Sequence, residues 1–168
     1  LISGPVNIPF PNCKNIIQVE TAQEMLDNVT QQLPTDILIC SAAVADWKLI
    51  PKTSSNNKIE INNKIKKTNE KLLFEAEKNP DILETIAKSN IRPKIVIGFS
   101  AETTNINKNA YSKLISKDID LIIANDVSNN QVFGEDFNKV SLIERNSCEE
   151  WEKQSKKSVA FNLANKIN

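Results

Sequence analysis

Three short apolar runs set the rhythm of this chain: residues 36–40, 94–97 and 120–123, each followed by small or polar residues. Runs of this length without polar alternation predict strands buried on both faces. Helical periodicity fills the gaps. Residues 21–32 open with Thr21, carry Glu24 three positions on as a capping box, and repeat Met25, Val29 and Gln32 at helical spacing. Residues 80–88 predict a second helix, with Asn79 as cap, Pro80 in the first helical position and Ile82, Leu83 and Ile86 as its stripe. Residues 108–116 predict a third. The tail from 150 to 168, with Val159, Leu163 and Ile167 four apart, predicts a closing amphipathic helix. Strands alternating with helices give an α/β fold, a Rossmann-like three-layer α/β/α sandwich around a mostly parallel sheet.

One stretch breaks the pattern. Residues 49–73 are rich in Asn and Lys and contain the alternating segment KIEINNKIKK. They predict an extended β-arm outside the main sheet, and a two-stranded arm is only marginally stable without a packing partner.

Composition narrows the chemistry. The 168 residues suit one domain. Lys plus Arg and Asp plus Glu number 21 each, so no overall charge favours nucleic acid or acidic lipid. No apolar run approaches the roughly 20 residues that span a bilayer, and the start, LISGPVNIPFPN, has no signal-peptide pattern. Three scattered cysteines, Cys13, Cys40 and Cys148, form neither a disulfide framework nor a zinc pattern, which places the chain in a reducing cytoplasm. Histidine is absent, so triad hydrolysis and histidine-bound zinc drop out. Lysines, carboxylates, backbone amides and a hard cation on oxygen ligands remain.

In a parallel sheet, ligands bind beyond the carboxyl ends of the strands. After 36–40 comes SAAVADWK, where Ala42 and Ala43 allow close backbone approach and Asp46 offers a carboxylate; a small-residue turn with a capping Asp reads equally well. After 94–97 comes GFSAET, whose Gly98 permits close approach and whose Phe99 offers a face for a nucleobase or simply core packing. After 120–123 comes ANDVS, with Asn125 and Asp126 as ligand contacts or turn residues. On an alternating strand Lys64 and Lys66 share one face and Lys67 takes the other, while Lys113 and Lys117 stack on one helical face. Singly, such lysines are ordinary solvated surface. Together with Asp46 and the helix start at NPDI, they suit a polyphosphate and its magnesium.

Read in order, SGPV, VETAQEM, AAVADW, KIKK, NPDI, GFSAET, KLISK, ANDVS and FGEDFNKV resemble the ligase half of the bacterial bifunctional coenzyme A biosynthesis flavoproteins, the phosphopantothenate–cysteine ligases, from about Ser3 to Ile143. The resemblance implies a cytoplasmic homodimer that uses CTP and Mg2+. It activates 4′-phosphopantothenate as an acyl-cytidylate with loss of pyrophosphate, then forms an amide with cysteine and releases CMP. Carried over by motif, Cys40, Ser41, Ala42 and Ala43 line the nucleotide or pantothenate pocket, and Asp46 sits near metal and substrate. Lys64 stabilises charge at the α-phosphate. Pro80, Asp81, Ile82 and Leu83 face the nucleotide, Phe99 packs on it, Lys113 and Lys117 hold its phosphates, and Asn125 contacts the ligand.

Departures from the family count too. Its opening strand and glycine- and serine-rich phosphate loop have no equivalent here, so residues 1–168 read as a single ligase domain with the first βα unit missing. On that reading the chain alone binds nucleotide weakly, and an upstream segment supplies the loop. Ser100 stands where the family carries alanine, and no flavin is expected. A noncatalytic remnant kept as a dimerisation or regulatory module is the alternative. A dinucleotide-binding oxidoreductase fails because Gly4, Gly98 and Gly134 cannot build G-x-G-x-x-G.

Overall fold

The computed structural model describes residues 1–53, 71–127 and 136–168. The described chain divides into two units, Leu1–Asn28 with Ala43–Ile82, and Val29–Ala42 with Leu83–Asn168. The segment KIEINNKIKK, and Lys64 with it, lies outside the described residues.

In the first unit, β1 (Ile2–Ser3) and β2 (Ile17–Gln18) pair in parallel. Helix α1 (Ala22–Gln31) begins in this unit. Its expected capping box is formed: the Glu24 backbone N–H donates to Thr21 Oγ1 at 3.1 Å, and the Thr21 and Glu20 N–H groups donate to Glu24 Oε2 at 3.4 and 2.8 Å. The β-arm is an antiparallel pair, β4 (Trp47–Lys52) and β5 (Leu73–Lys78). Strand alternation sorts its side chains. Lys48 and Lys52 form ion pairs with Glu77 and Glu75, and the opposite face carries Trp47, Leu49 and Phe74, exposed by 53%, 61% and 57%. Lys78 lies over the Trp47 ring, 5.6 Å from its centroid.

The second unit is built on a five-stranded mixed sheet in the order β3 (Ile37–Cys40), β6 (Ile95–Glu102), β7 (Leu121–Asp126), β8 (Phe137–Ile143) and β9 (Cys148–Ser155). The pairs β3–β6 and β6–β7 are parallel, whereas β7–β8 and β8–β9 are antiparallel. Side chains alternate between its faces. Val96, Ile122, Ala124 and Ile143 pack with Ala87 of α2 (Ile82–Ala87) and with Ala110 and Leu114 of α3 (Ile106–Lys117). Ile97, Leu121, Ile123, Val140 and Leu142 pack with Val159 and Leu163 of α4 (Lys156–Ile167). Helices on both faces complete the three layers. Each buried aliphatic side chain contributes about 1.5–3 kcal/mol.

Several boundaries differ from the sequence reading. The tail from 150 is not helical throughout: Cys148–Ser155 pairs with β8, and the helix starts only at Lys156, where Ser155 Oγ accepts the Ser158 N–H at 3.0 Å. Ladder pairing outweighs the helix propensity of the Glu and Lys residues there. The strands expected at 94–97 and 120–123 run on to Glu102 and Asp126. Helix α2 begins at Ile82, two residues after Pro80. That start puts the cap position at Asp81 rather than Asn79, whose backbone and side-chain N–H groups donate instead to the carbonyls of Asp46 (2.9 Å) and Ala45 (2.8 Å). Helix α3 starts earlier than expected, after Asn105, which is left-handed at φ 48° and gives no side-chain cap.

Candidate functional site

The predicted residues fall in both units. Ala43, Asp46, Pro80, Asp81 and Ile82 belong to the first; Cys40, Ser41, Ala42, Leu83, Phe99, Lys113, Lys117 and Asn125 belong to the second. In the first, Asp46 is exposed between Ala45 and the start of β4, and its carbonyl anchors Asn79 beside Pro80. Ile82 is buried, so only its backbone is open to a ligand role. Among the described residues, no three His, Cys, Asp or Glu side chains gather as a metal cluster. A lone exposed carboxylate fits magnesium in its usual mode, held by one or two carboxylates and the phosphates of a substrate, and does not fit a dedicated protein cage.

In the second unit, Cys40 ends β3 in register with Gly98, and Ser41 and Ala42 follow as exposed irregular backbone. The side chain of Leu83 packs into the core, so this residue too offers only backbone. A Cβ built on Gly98 would lie 2.7 Å from Leu83 Cδ2 and 3.1 Å from Ile119 Cδ1. The close approach that needs this glycine is therefore made by the protein's own side chains. Phe99 stands within β6 rather than after it, half-buried against the α4-side core. Asn125 likewise lies within β7, with Oδ1 buried and without a hydrogen-bond partner.

The two helical lysines differ in circumstance. Lys113 Nζ donates to Glu102 Oε1 at 2.6 Å; the Glu102 side chain is only 10% exposed and that of Lys113 46%. Glu102 thus holds the ammonium beside the carboxyl end of β6. Lys117 lies one turn, about 6 Å, further along α3. The sequence reading missed Glu102, although a carboxylate in phase with Val96 and Gly98 at the end of a buried strand is a signal for a paired charge. A hollow of about 430 Å³ opens at the start of α3, lined by residues 105–108 with Asp126, Lys139, Ser141 and Glu150; of the candidates at the strand ends, Asp126 lines it and Asn125 does not.

The fold has clear relatives. The DNA/pantothenate metabolism flavoprotein C-terminal domain matches residues 1–168. The coenzyme A biosynthesis bifunctional protein CoaBC of Haemophilus influenzae is 36% identical over 168 residues, covering 99% of this chain and 40% of that protein. CoaBC of Borreliella burgdorferi is 40% identical over 162 residues, covering 95% and 39%. This chain thus spans about two-fifths of their length. Among solved structures, the C-terminal domain of a CoaBC superposes with a TM-score of 0.74 at 30% identity, over 99% of this chain and 70% of that one. The Streptococcus pneumoniae DNA/pantothenate metabolism flavoprotein gives 0.76 at 23% identity, over 99% and 78%, and shares the fold. The chain belongs to the DNA/pantothenate metabolism flavoprotein C-terminal domain family.

Proposed function

We propose that this chain is the ligase part of a coenzyme A biosynthesis protein, joining cysteine to 4′-phosphopantothenate at the expense of CTP. The observation that carries the reading is the family match over the whole chain, together with relatives named for coenzyme A biosynthesis. In the first step the pantothenate carboxylate attacks the α-phosphorus, and the bond to pyrophosphate breaks. In the second the cysteine amine attacks the acyl carbon, CMP leaves with the bonding pair, and the amine gives up a proton. Neither step needs histidine; positioning and charge neutralisation supply the catalysis.

Each residue's part is the one that the resemblance to the ligase family implies. The backbones of Cys40, Ser41, Ala42 and Ala43, and those of Pro80, Asp81, Ile82 and Leu83, line the substrates, and Phe99 packs on the nucleotide. Asn125 contacts the ligand, and Lys64 neutralises charge at the α-phosphate. Lys113 and Lys117 hold phosphates, with Lys113 oriented by Glu102. Asp46 would hold magnesium, which when bound offsets phosphate charge. The exposed apolar face of Trp47, Leu49 and Phe74 supports a homodimer. Cytoplasmic location belongs to the same reading.

The test is a pyrophosphate-release assay with phosphopantothenate, cysteine, magnesium and either CTP or ATP, run on this chain and on a version extended through the upstream loop. Activity with CTP in the extended form, abolished by Lys64→Gln, is the expected result. Silence from both forms would replace the ligase reading with the noncatalytic module.

A further inference from the structure

Among the described residues, four buried side-chain polar atoms have no hydrogen-bond partner: Arg92 Nε, Ser100 Oγ, Asn125 Oδ1 and Asn138 Oδ1. Arg92 precedes β6, at the opposite end of the sheet from the strands' carboxyl ends. Ser100 is in phase with Val96 and faces the α3-side core. The two asparagines differ because they share a surface. Asn125 is directly opposite Val140 in the β7–β8 ladder, and Asn138 lies two residues from Val140 along β8. The β8–β9 register shifts between Asn138 and Val140, but Asn138 pairs with Gln154 and Val140 with Trp151, so the extra residue lies on β9 and β8 keeps its alternation. All three side chains therefore project toward the α4 side. Diagonal neighbours on an antiparallel pair stand roughly 7–8 Å apart, close enough to share one small group.

A buried acceptor without a donor is unfavourable, and native proteins seldom keep one without a reason. Two on one face, beside the carboxyl end of β7, sit where open α/β sheets take their ligands. The same face carries the half-buried ring of Phe99 on β6 and, in register with Asn125, the exposed Ala101. On that strand the side chain in register with Asn125 is no larger than a methyl.

We propose that Asn125 and Asn138 form an acceptor pair for an N–H donor of a bound substrate, making Asn138 a second ligand-positioning residue beside Asn125. The inference rests on the ligase reading. Three groups in that reaction carry the required chemistry: the amino group of cytosine, the ammonium of cysteine and the amide of phosphopantothenate.

The experiment varies each substrate in turn in the intact protein that contains this domain, for the parent, Asn125→Ala, Asn138→Ala and the double variant. Asn138→Ala is expected to raise the KM of one substrate about tenfold, with kcat within about threefold, and that substrate is then the donor's source. The double variant is expected to cost less than the product of the single effects, because both amides hold one group. All three KM values within twofold of the parent would overturn the proposal, as would a rise spread over all three substrates. Thermal unfolding without ligand reads it independently. Losing an orphaned amide leaves the midpoint unchanged or higher, whereas a fall of more than about 3 °C would show the amide satisfied within the protein. A parent that releases no pyrophosphate removes the ligase reading and this inference with it; an active parent with unaffected variants removes this inference alone.

Discussion

Ser100 gives the sharpest test of the packing argument. It sits in β6 with 8% of its surface exposed, and its hydroxyl oxygen is buried without a partner. In the ladder it pairs with Ala124, a member of the α3-side apolar cluster, and it is in phase with Val96 of the same cluster. Burying an unpaired hydroxyl costs about 1–3 kcal/mol. Ser100→Ala removes that cost and leaves a void no larger than one oxygen atom, whose lost dispersion takes back part of the gain. The net expectation is a stabilisation of about 1 kcal/mol, or about 2–4 °C in midpoint for a chain of this size. Urea unfolding checks it, since an unchanged slope with a higher midpoint isolates the effect in the folded state. A lower midpoint with the slope unchanged would refute the reasoning, because it would mean that the hydroxyl is satisfied in the native state.

Further outcomes follow from the same sheet. Gly98→Ala brings a methyl to 2.7 Å from Leu83 Cδ2 and should destabilise by about 1–3 kcal/mol, measured by urea unfolding. Lys113→Ala strands the buried Glu102 carboxylate, so it should lower the thermal midpoint as well as raise the nucleotide KM, whereas Lys113→Ala with Glu102→Gln recovers the midpoint but not the KM. Ala101→Leu places a bulky side chain at an exposed strand position and should change stability by no more than about 0.5 kcal/mol while raising a substrate KM. Hydrogen bonds from the Trp151 indole first, and then from Lys166, hold the Glu149 carboxyl below its ordinary range. With a folded-state value below the unfolded one, its contribution is present above about pH 4.3 and is lost as pH falls through the folded value. Thermal midpoints between pH 7 and pH 3 should therefore fall less steeply in Glu149→Gln than in the parent.

The parts of the fold legible in the sequence were those with one dominant signal. The Thr21–Glu24 box marks α1, and Val159, Leu163 and Ile167 mark α4. The parallel strands announced themselves as apolar runs, but their ends did not. Gly98, Ser100 and Glu102 continue β6 as its buried face, alternating with half-buried Phe99 and exposed Ala101, but a glycine, a serine and a glutamate on the buried face hide the alternation that would have shown the strand continuing. Strand β9 was hidden for a different reason: its Glu and Lys residues suit a helix, and only the partner β8 decides the matter. At the site, residue types pointed to the carboxyl ends of the strands, whereas the pairing of Lys113 with Glu102 and the likeness between Asn125 and Asn138 depend on register.

That dependence on register explains why GFSAET resists reading as one functional motif. In a strand, alternate residues face opposite layers. Gly98, Ser100 and Glu102 all face α3, where the first makes room for Leu83, the second is enclosed by apolar neighbours and the third anchors Lys113. Phe99 and Ala101 face the other way, toward the surface that also carries Asn125. A six-residue string thus serves two surfaces, and its substitutions divide by parity. Changes at 98 and 100 act on stability, because nothing but protein touches them. Changes at 99 and 101 act on the face where ligand binding is proposed, and Glu102 joins the two by fixing a cation at the strand's end. Retention of the whole string is therefore weaker support for catalysis than retention of Phe99 and Asn125 with the small residue at 101, since a remnant that kept only the fold would still need Gly98.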